Sequence, residues 1–124
     1  MTKSRKALLE IITEAEAPIS AGDIHSRMEQ RYDLATVYRG LNHFEKQGTV
    51  ESFTFSCSRE GTERYYYRRA HPHIHFFHCA SCHRFIALGA CRLQELEQKL
   101  ETDYDVAIQE HTLYFTGLCS SCRD

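Results

Sequence analysis

Two Cys-x-x-Cys pairs, Cys79-Ala80-Ser81-Cys82 and Cys119-Ser120-Ser121-Cys122, constrain this chain more than any other feature. A two-residue spacer folds into a knuckle that aims both thiolates at one point. Two knuckles make the tetrahedral four-thiolate shell that Zn²⁺ takes, at about 2.3 Å per bond. In a secreted chain of 124 residues, six Cys would instead read as three disulfides. The N-terminal segment argues against secretion. Ile11-Ile12 run straight into Thr13-Glu14, with no unbroken apolar core or small-residue cleavage site. No apolar run approaches the ~20 residues needed to cross a bilayer. A cytoplasmic, reducing setting with no membrane association is expected, and there metal is the better reading than disulfide. The 36 residues between the pairs mean that one shared zinc ties distant segments together. Four thiolates leave no open coordination position, so this site reads as structural, not catalytic.

The rest of the metal chemistry lies in the same half of the chain. Six of the eight His follow residue 70, and His71, His73 and His75 alternate ahead of the first knuckle. Alternate residues of a strand share a face, so His73 and His75 point the same way, with His71 joining them if the chain stays extended past Pro72. Neutral imidazoles on one face suit Zn²⁺, Fe²⁺, Ni²⁺ or Mn²⁺. His111 sits in a second strand-like segment, Val106 to Phe115, from which it can converge on them. The residues Arg92 to Glu101 read as a helix with Leu93, Leu96 and Leu100 inward. The fourth ligand is left open between Gln94, Glu95, Cys91 and water. His78 and His83 read as surface groups or as partners of the ligands, and Phe76, Phe77, Phe85 and Ile86 as sheet core. Cys57 falls in a hairpin turn region and reads as an ordinary thiol.

Residues 1–69 have a different character. They carry 11 basic and 10 acidic side chains, against 4 and 7 in residues 70–124. Leu8, Ile11, Ile12 and Ala15 form one helical stripe that Pro18 ends. Ser20, with Asp23 three residues on, opens a second helix carrying Ile24 and Met28. Asp33 caps a third, with Val37, Leu41 and Phe44 inward and Gly48 as its left-handed stop. Two β-rich stretches, Val50–Phe55 and Glu63–Tyr67, flank a polar turn from Ser56 to Thr62. Three helices and a hairpin make a winged helix. The fold class expected is thus α+β: a winged helix over 1–69, then a small α/β domain with a zinc-tied antiparallel sheet over 70–124. The third helix presents Thr36, Arg39, Asn42, His43 and Lys46 opposite its apolar stripe, with Tyr38 at its flank. Arg and Asn pair bidentately with guanine and adenine edges, and Tyr reaches phosphate or a thymine methyl. Lys3, Arg5, Lys6 and the Arg64/Arg68/Arg69 group would supply the local positive charge. A net charge of −2 makes strong salt dependence an expectation. A solvated polar face is the alternative reading of the same helix.

At this point the chain resembles the ferric uptake regulator family of metal-responsive transcriptional repressors. The stretch Asp33-Leu34-Ala35-Thr36-Val37-Tyr38-Arg39-Gly40-Leu41 is similar to that family's recognition-helix signature, and Thr2-Lys3-Ser4-Arg5 to its opening Thr-x-x-Arg. The His-rich strand and the two Cys-x-x-Cys pairs follow in the family's order. The resemblance implies a homodimer that binds an A/T-rich inverted repeat of double-stranded DNA when its regulatory metal is bound. It also implies DNA contacts from Tyr38 and Arg39, and no small-molecule substrate. The departures carry information too. Family members usually have another helix before the Thr-x-x-Arg segment, where this chain begins. One family ligand cluster falls here on Pro18, Tyr67, Ile74 and Phe76, none of which ligates, so that hinge site is expected to be missing. The other falls on His73, His75, Gln94 and His111, where three of four can ligate.

Two further readings follow from the residues. A zinc-stabilised module that binds protein or RNA and has lost metal sensing would explain the lost ligands and the acidic balance. A zinc hydrolase would need an open metal site with a carboxylate base. No His-Glu-x-x-His or His-x-Glu pattern is present, so no enzymatic activity is expected.

Overall fold

The computed structural model describes residues 1–29, 31–59, 61–70 and 73–123. They divide into two compact units, Met1–Arg69 and Ala70–Asp124.

In the first unit, helix α1 spans Lys3–Glu14, and the Thr2 side chain accepts from the Arg5 N–H at its start. Leu8 and Ile12, four apart on one face, are buried. A two-residue strand, β1 (Ile19–Ser20), leads into α2 (Ala21–Arg27), where Ser20 Oγ accepts from the Asp23 N–H. Helix α3 spans Leu34–Lys46. Asp33 Oδ1 caps it, accepting from the Thr36 N–H at 2.8 Å and the Thr36 hydroxyl at 2.6 Å. At its other end the Gly48 N–H bonds Glu45 O at 3.0 Å and the Thr49 N–H bonds Phe44 O at 2.9 Å. That pair of bonds is the Schellman closure, and it needs the left-handed φ of +77° that Gly48 adopts.

Strands β2 (Val50–Cys57) and β3 (Gly61–Arg68) pair antiparallel from Val50↔Arg68 to Cys57↔Gly61. The expected turn from Ser56 to Thr62 is shorter than the sequence suggested. Ser56 and Thr62 face each other in the ladder with their hydroxyls 2.6 Å apart, so two polar residues sit in strand. Cys57 is accordingly the buried last residue of β2, not a turn residue. β1 adds to β3 through Ile19↔Tyr66, giving the order β1-β3-β2. One core unites Leu8, Ile12, Ile24, Val37, Leu41, Phe44, Val50 and Tyr66. Three helices and this small sheet are a winged helix.

The second unit comprises β4 (Ile74–Cys79), β5 (Phe85–Ala90), α4 (Gln94–Tyr104) and β6 (Tyr114–Gly117), with sheet order β5-β4-β6. The sheet is mixed, not antiparallel as expected: β4 pairs antiparallel with β5 but parallel with β6. The reason is topological. After β5 has run back, α4 carries the chain across to the other edge of β4, so β6 starts from the end where β4 started. The strand expected from Val106 is also shorter than expected. Asp105 closes α4 in the left-handed region, at φ 54°, and the Ile108 N–H bonds Glu101 Oε2 at 2.9 Å. The chain there is tied to the helix end, and pairing begins only at Tyr114.

A third expectation fails at α4. Leu96 and Leu100 do not face inward but are 51% and 38% exposed, and Leu93 precedes the helix. Nothing in α4 is buried within the single chain. Phe85 and Ile86 are only half-buried. Among the described residues of this unit, Phe76, His78, Cys79 and Cys119 alone are buried.

Candidate metal centres and nucleic-acid interface

The four knuckle cysteines come together. Cys79 ends β4, Cys119 follows β6 by two residues, and the Ala80 N–H bonds Gly117 O at 2.7 Å, which brings the two knuckles side by side. The Sγ atoms of Cys79, Cys82, Cys119 and Cys122 all lie within 4.8 Å of one another. Cys82 and Cys119 Sγ are 3.8 Å apart. A tetrahedron with 2.3 Å bonds has an edge of about 3.8 Å, so the spacing fits zinc. The N–H groups of Cys82 and Cys119 both point at Cys79 Sγ, at 3.4 and 3.5 Å. With the Ser81 N–H they pull the Cys79 thiol down to about 5, against the effect of burial. At Cys119 burial opposes ionisation, while the Cys122 thiol and the Arg84 guanidinium favour it, and the balance is downward. Cys122 is pushed up to about 11, chiefly because it donates to Cys119. An ionised Cys119 thus holds Cys122 protonated, and a divalent cation is the group that relieves such competition between neighbouring thiols.

The second cluster comprises His73, His75, Cys91 and His111, whose ligand atoms also lie within 4.8 Å of one another. Nε2 of His111 stands 3.1 Å from His73 Nε2 and 3.0 Å from His75 Nε2. Cys91 Sγ is 3.4 Å from His111 Nε2. The outer nitrogens explain why the rings face this way. His75 Nδ1 lies 3.0 Å from Leu113 O, which can only accept, so Nδ1 carries the proton and Nε2 is left as a lone pair. His111 Nδ1 is 3.3 Å from Glu97 Oε1, which sets the same tautomer. Burial, with the two neighbouring imidazoles, lowers the His75 pKa despite its bond to Leu113 and favours the neutral ring. Three imidazoles presenting Nε2 to one point are a donor set for a divalent transition metal.

Of the four options for a further group, Cys91 is in the cluster and Glu95 is not. Sequence reasoning missed Glu97, which has no motif to mark it and acts only through its place on α4. His71 lies outside the described residues. His78 and His83 are ring neighbours, with centroids 5.6 Å apart, and His78 is buried. Tyr67 donates to Glu51 Oε2 at 2.9 Å, and burial together with that carboxylate raises its pKa.

On α3, the apolar stripe of Val37, Leu41 and Phe44 is buried, and Tyr38, Arg39 and Asn42 are exposed on the other side. Thr36 is half-buried and joins the cap: Arg39 Nη2 donates to Thr36 Oγ1 at 3.1 Å, and that hydroxyl donates to Asp33. Arg5 is half-buried on α1. The hairpin arginines are tied to their own unit: Arg64 to Ser52 at 2.9 Å, Arg68 to Thr13 at 2.8 Å, and Arg69 to Glu51 at 3.6 Å.

A winged helix with an exposed polar α3, followed by a small α/β unit with two clusters of candidate metal ligands, is the layout of a metal-responsive transcriptional regulator. The chain belongs to the ferric uptake regulator family, whose family model matches residues 1–116. It is 30% identical over 130 residues to the ferric uptake regulation protein of Bacillus subtilis (strain 168), covering 99% of this chain and 85% of that one. The fold is that of the Helicobacter pylori ferric uptake regulator Fur, whose structure reveals three functional metal binding sites (TM-score 0.79, 20% identity, covering 100% of this chain and 82% of that one). It is likewise that of a zinc uptake regulator complexed with zinc and DNA (TM-score 0.65, 20% identity, covering 97% and 81%). Among the described residues, no helix is long and apolar enough to cross a membrane.

Proposed function

We propose that the chain is a cytoplasmic, homodimeric repressor that binds an A/T-rich inverted repeat of double-stranded DNA, with its affinity set by a divalent cation at His73, His75 and His111. The convergence of three Nε2 atoms, two of them oriented by outer partners, carries this reading. Cys79, Cys82, Cys119 and Cys122 would hold one structural Zn²⁺ per chain. Residues 1–69 serve as the DNA-binding domain. Tyr38, Arg39 and Asn42 read base edges or phosphate, while Arg5 and Thr36 support them from the ends of α1 and α3. Residues 70–124 serve as the dimerisation domain. The exposed Leu96, Leu100 and Tyr104 of α4, with Tyr114 and Phe115 of β6, offer it an apolar surface. To read both halves of an inverted repeat, the two recognition helices of such a dimer must stand about 34 Å apart, one turn of DNA.

A bound cation would supply fixed positive charge that ties the start of β4 to the segment before β6. Linkage then requires that the conformation holding the cation better is also the one that binds DNA better. Pro18, Tyr67, Ile74 and Phe76 bring no second ligand set, so the coupling is assigned to this cluster.

The test is DNA anisotropy against an inverted repeat, with protein carrying one zinc or two metals per chain, over a range of salt. The expected gain on filling the cluster is about 5–150-fold, the usual span of such coupling. His73→Ala with His75→Ala should remove that gain and leave the thiolate zinc in place. Equal affinity in both metal states would overturn the sensing role. Metal-independent failure to bind any A/T-rich repeat would leave the zinc-stabilised protein- or RNA-binding module as the better reading.

A further inference from the structure

We propose that Cys91 Sγ is the fourth ligand of the His73–His75–His111 cluster, so that the cluster takes a zinc-class cation through three imidazoles and one thiolate and discriminates against Mn²⁺ and Fe²⁺. The inference deepens the sensor reading above and rests on it for its regulatory meaning, though not for its chemistry.

The backbone places Cys91 there deliberately. Its N–H donates to His73 O at 2.9 Å, which carries the β4–β5 ladder one step beyond the strand ends. Directly opposed residues of an antiparallel pair share a face. Cys91 is therefore on the face of His73, and so of His75 two residues on.

That register depends on one irregularity. Phe76 pairs with Ala87, but Ile74 pairs with Ala90, so Leu88 and Gly89 together oppose the single residue His75. Gly89 makes this bulge possible by adopting a φ of +82°. Were the pairing beyond Phe76 regular, Ile74 would face Gly89, His73 would face Ala90, and Cys91 would point to the opposite face. One inserted residue thus turns a thiol toward the imidazoles. Sγ ends 3.4 Å from His111 Nε2, and it is half-buried beside half-buried His75 and His111.

The chemistry follows from the donor set. A thiolate is a soft ligand, and with imidazole it suits Zn²⁺ and its tetrahedral relative Co²⁺. Mn²⁺ and Fe²⁺ gain more from oxygen donors and from further positions, and they bind any given site less strongly. Charge agrees. The single thiolate leaves the site with one net positive charge, and Glu97 beside His111 offsets it. The carboxylate acts through the imidazole and leaves the metal-facing position to sulfur.

Cobalt titration of the full chain, its four-cysteine site already filled with zinc, tests this directly. One added equivalent of Co²⁺ should give the strong visible bands of four-coordinate cobalt together with a near-ultraviolet thiolate-to-cobalt charge-transfer band. Cys91→Ser and Cys91→Ala should lose the charge-transfer band. Their Zn²⁺ affinity should fall by more than the about 10–100-fold that loss of an outer-shell partner costs, while Mn²⁺ affinity changes less. A second measurement needs no variant: alkylation of Cys91, followed by mass spectrometry, should be blocked by the second zinc.

A wild-type cobalt spectrum without the thiolate band, a band of equal intensity in Cys91→Ser, or unchanged alkylation with two zincs bound would each overturn the proposal. Those outcomes leave metal-dependent DNA binding untouched. The converse pattern, with sulfur ligation present but DNA affinity indifferent to the second metal, would sustain the ligand assignment and overturn only the sensing role.

Discussion

Gly40 sits in the middle of α3, two residues beyond Tyr38, where a helix would ordinarily prefer alanine. A Cβ built at Gly40 would stand 2.5 Å from Leu8 Cδ2 and 3.9 Å from Arg5 Cγ. Leu8 is 2% exposed and belongs to the core of the first unit, so it has no free direction in which to retreat. Gly40→Ala therefore combines two opposing effects. Helix propensity favours the variant by about 1 kcal/mol. Forcing Leu8 off its position costs about 1–3 kcal/mol. The net expectation runs from near neutrality to a loss of about 2 kcal/mol. Leu8→Ala alone should cost about 2–5 kcal/mol as a cavity opens. In that background the clash partner is gone, the new methyl has room, and Gly40→Ala should stabilise by about 1 kcal/mol. The double-mutant cycle then shows a coupling of about 1–3 kcal/mol, the double variant being more stable than additivity predicts. Native-state amide exchange at Val37, Leu41 and Phe44 reads the stability of this unit without requiring the two units to unfold together. Additivity within about 0.5 kcal/mol, or a full stabilisation by Gly40→Ala in the wild-type background, would refute the idea that glycine is there to let α1 approach α3.

Stripping zinc with a strong chelator should unfold the second unit and leave the first protected, because structural zinc supplies about 10–16 kcal/mol to small metal-organised folds. The amide NMR spectrum checks this; dispersed β4 and β6 signals in the stripped protein would refute it. Asp33 has its pKa lowered by the Thr36 hydroxyl and N–H. Its folded pKa is thus below the unfolded one. The stability it contributes is complete above the ordinary carboxylate range and is lost as pH falls through the folded value. Asp33→Ala should therefore weaken α3 protection at pH 7, and the difference from wild type should shrink in acid. Asp33→Asn, which keeps the capping oxygen, should retain more protection than Ala. Leu96→Glu with Leu100→Glu should raise the dimer dissociation constant at least about a hundredfold, since each buried Leu contributes roughly 1.5–3 kcal/mol. Sedimentation velocity reads this as a shift to monomer. Gly89→Ala meets no neighbouring atom, yet must hold its φ of +82° with a side chain. It should cost about 1–2 kcal/mol and weaken Co²⁺ binding by roughly tenfold, while Gly61→Ala, at a similar φ far from the cluster, should leave that binding unchanged.

What the sequence revealed, and what it concealed, divides by the range of the forces involved. Caps are local, so Ser20, Asp33 and Gly48 could be read directly from residue type and spacing. The α1 and α3 stripes were legible because Leu8/Ile12 and Val37/Leu41/Phe44 repeat at the helical period and are buried within one unit. β1 was not legible. Two residues carry no periodicity, and Ile19 and Ser20 are strand only because β3 lies beside them. The α4 stripe was read correctly as apolar and wrongly as internal, because periodicity identifies a face and not what covers it. The thiolate cluster was legible because each knuckle is local. The fourth member of the imidazole cluster stayed open among Gln94, Glu95, Cys91 and water, because a bulge is what brings Cys91 to it. Gly89 in a strand is a signal for one, yet the direction in which it turns its neighbours emerges only with the β4 pairing.

The two clusters belong to one mechanical device. β4 and β6 lie side by side in parallel, from Phe76↔Tyr114 to Cys79↔Gly117. Parallel strands are normally covered on both faces, yet Tyr114 and Phe115 are 42% and 50% exposed here. The pair has little apolar cover of its own, and the ligands stand at its ends. His73 and His75 are at the start of β4 and His111 just before β6, while Cys79 closes β4 and Cys119 follows β6. A zinc on the thiolate cluster, as proposed, would fasten one end permanently. At the other end the His75–Leu113 bond is the tie that a cation on the imidazole cluster would reinforce, and His73 stands four residues beyond Arg69, the last residue of the first unit. A cation there would act on the piece of chain that leads from the unit proposed to read DNA. On this account, filling the second cluster should protect the amides from Tyr114 to Gly117 in graded fashion, most at Tyr114 and least beside the thiolate cluster. Uniform protection along β6 would mean that the pair responds as a rigid whole and that the signal leaves by another route.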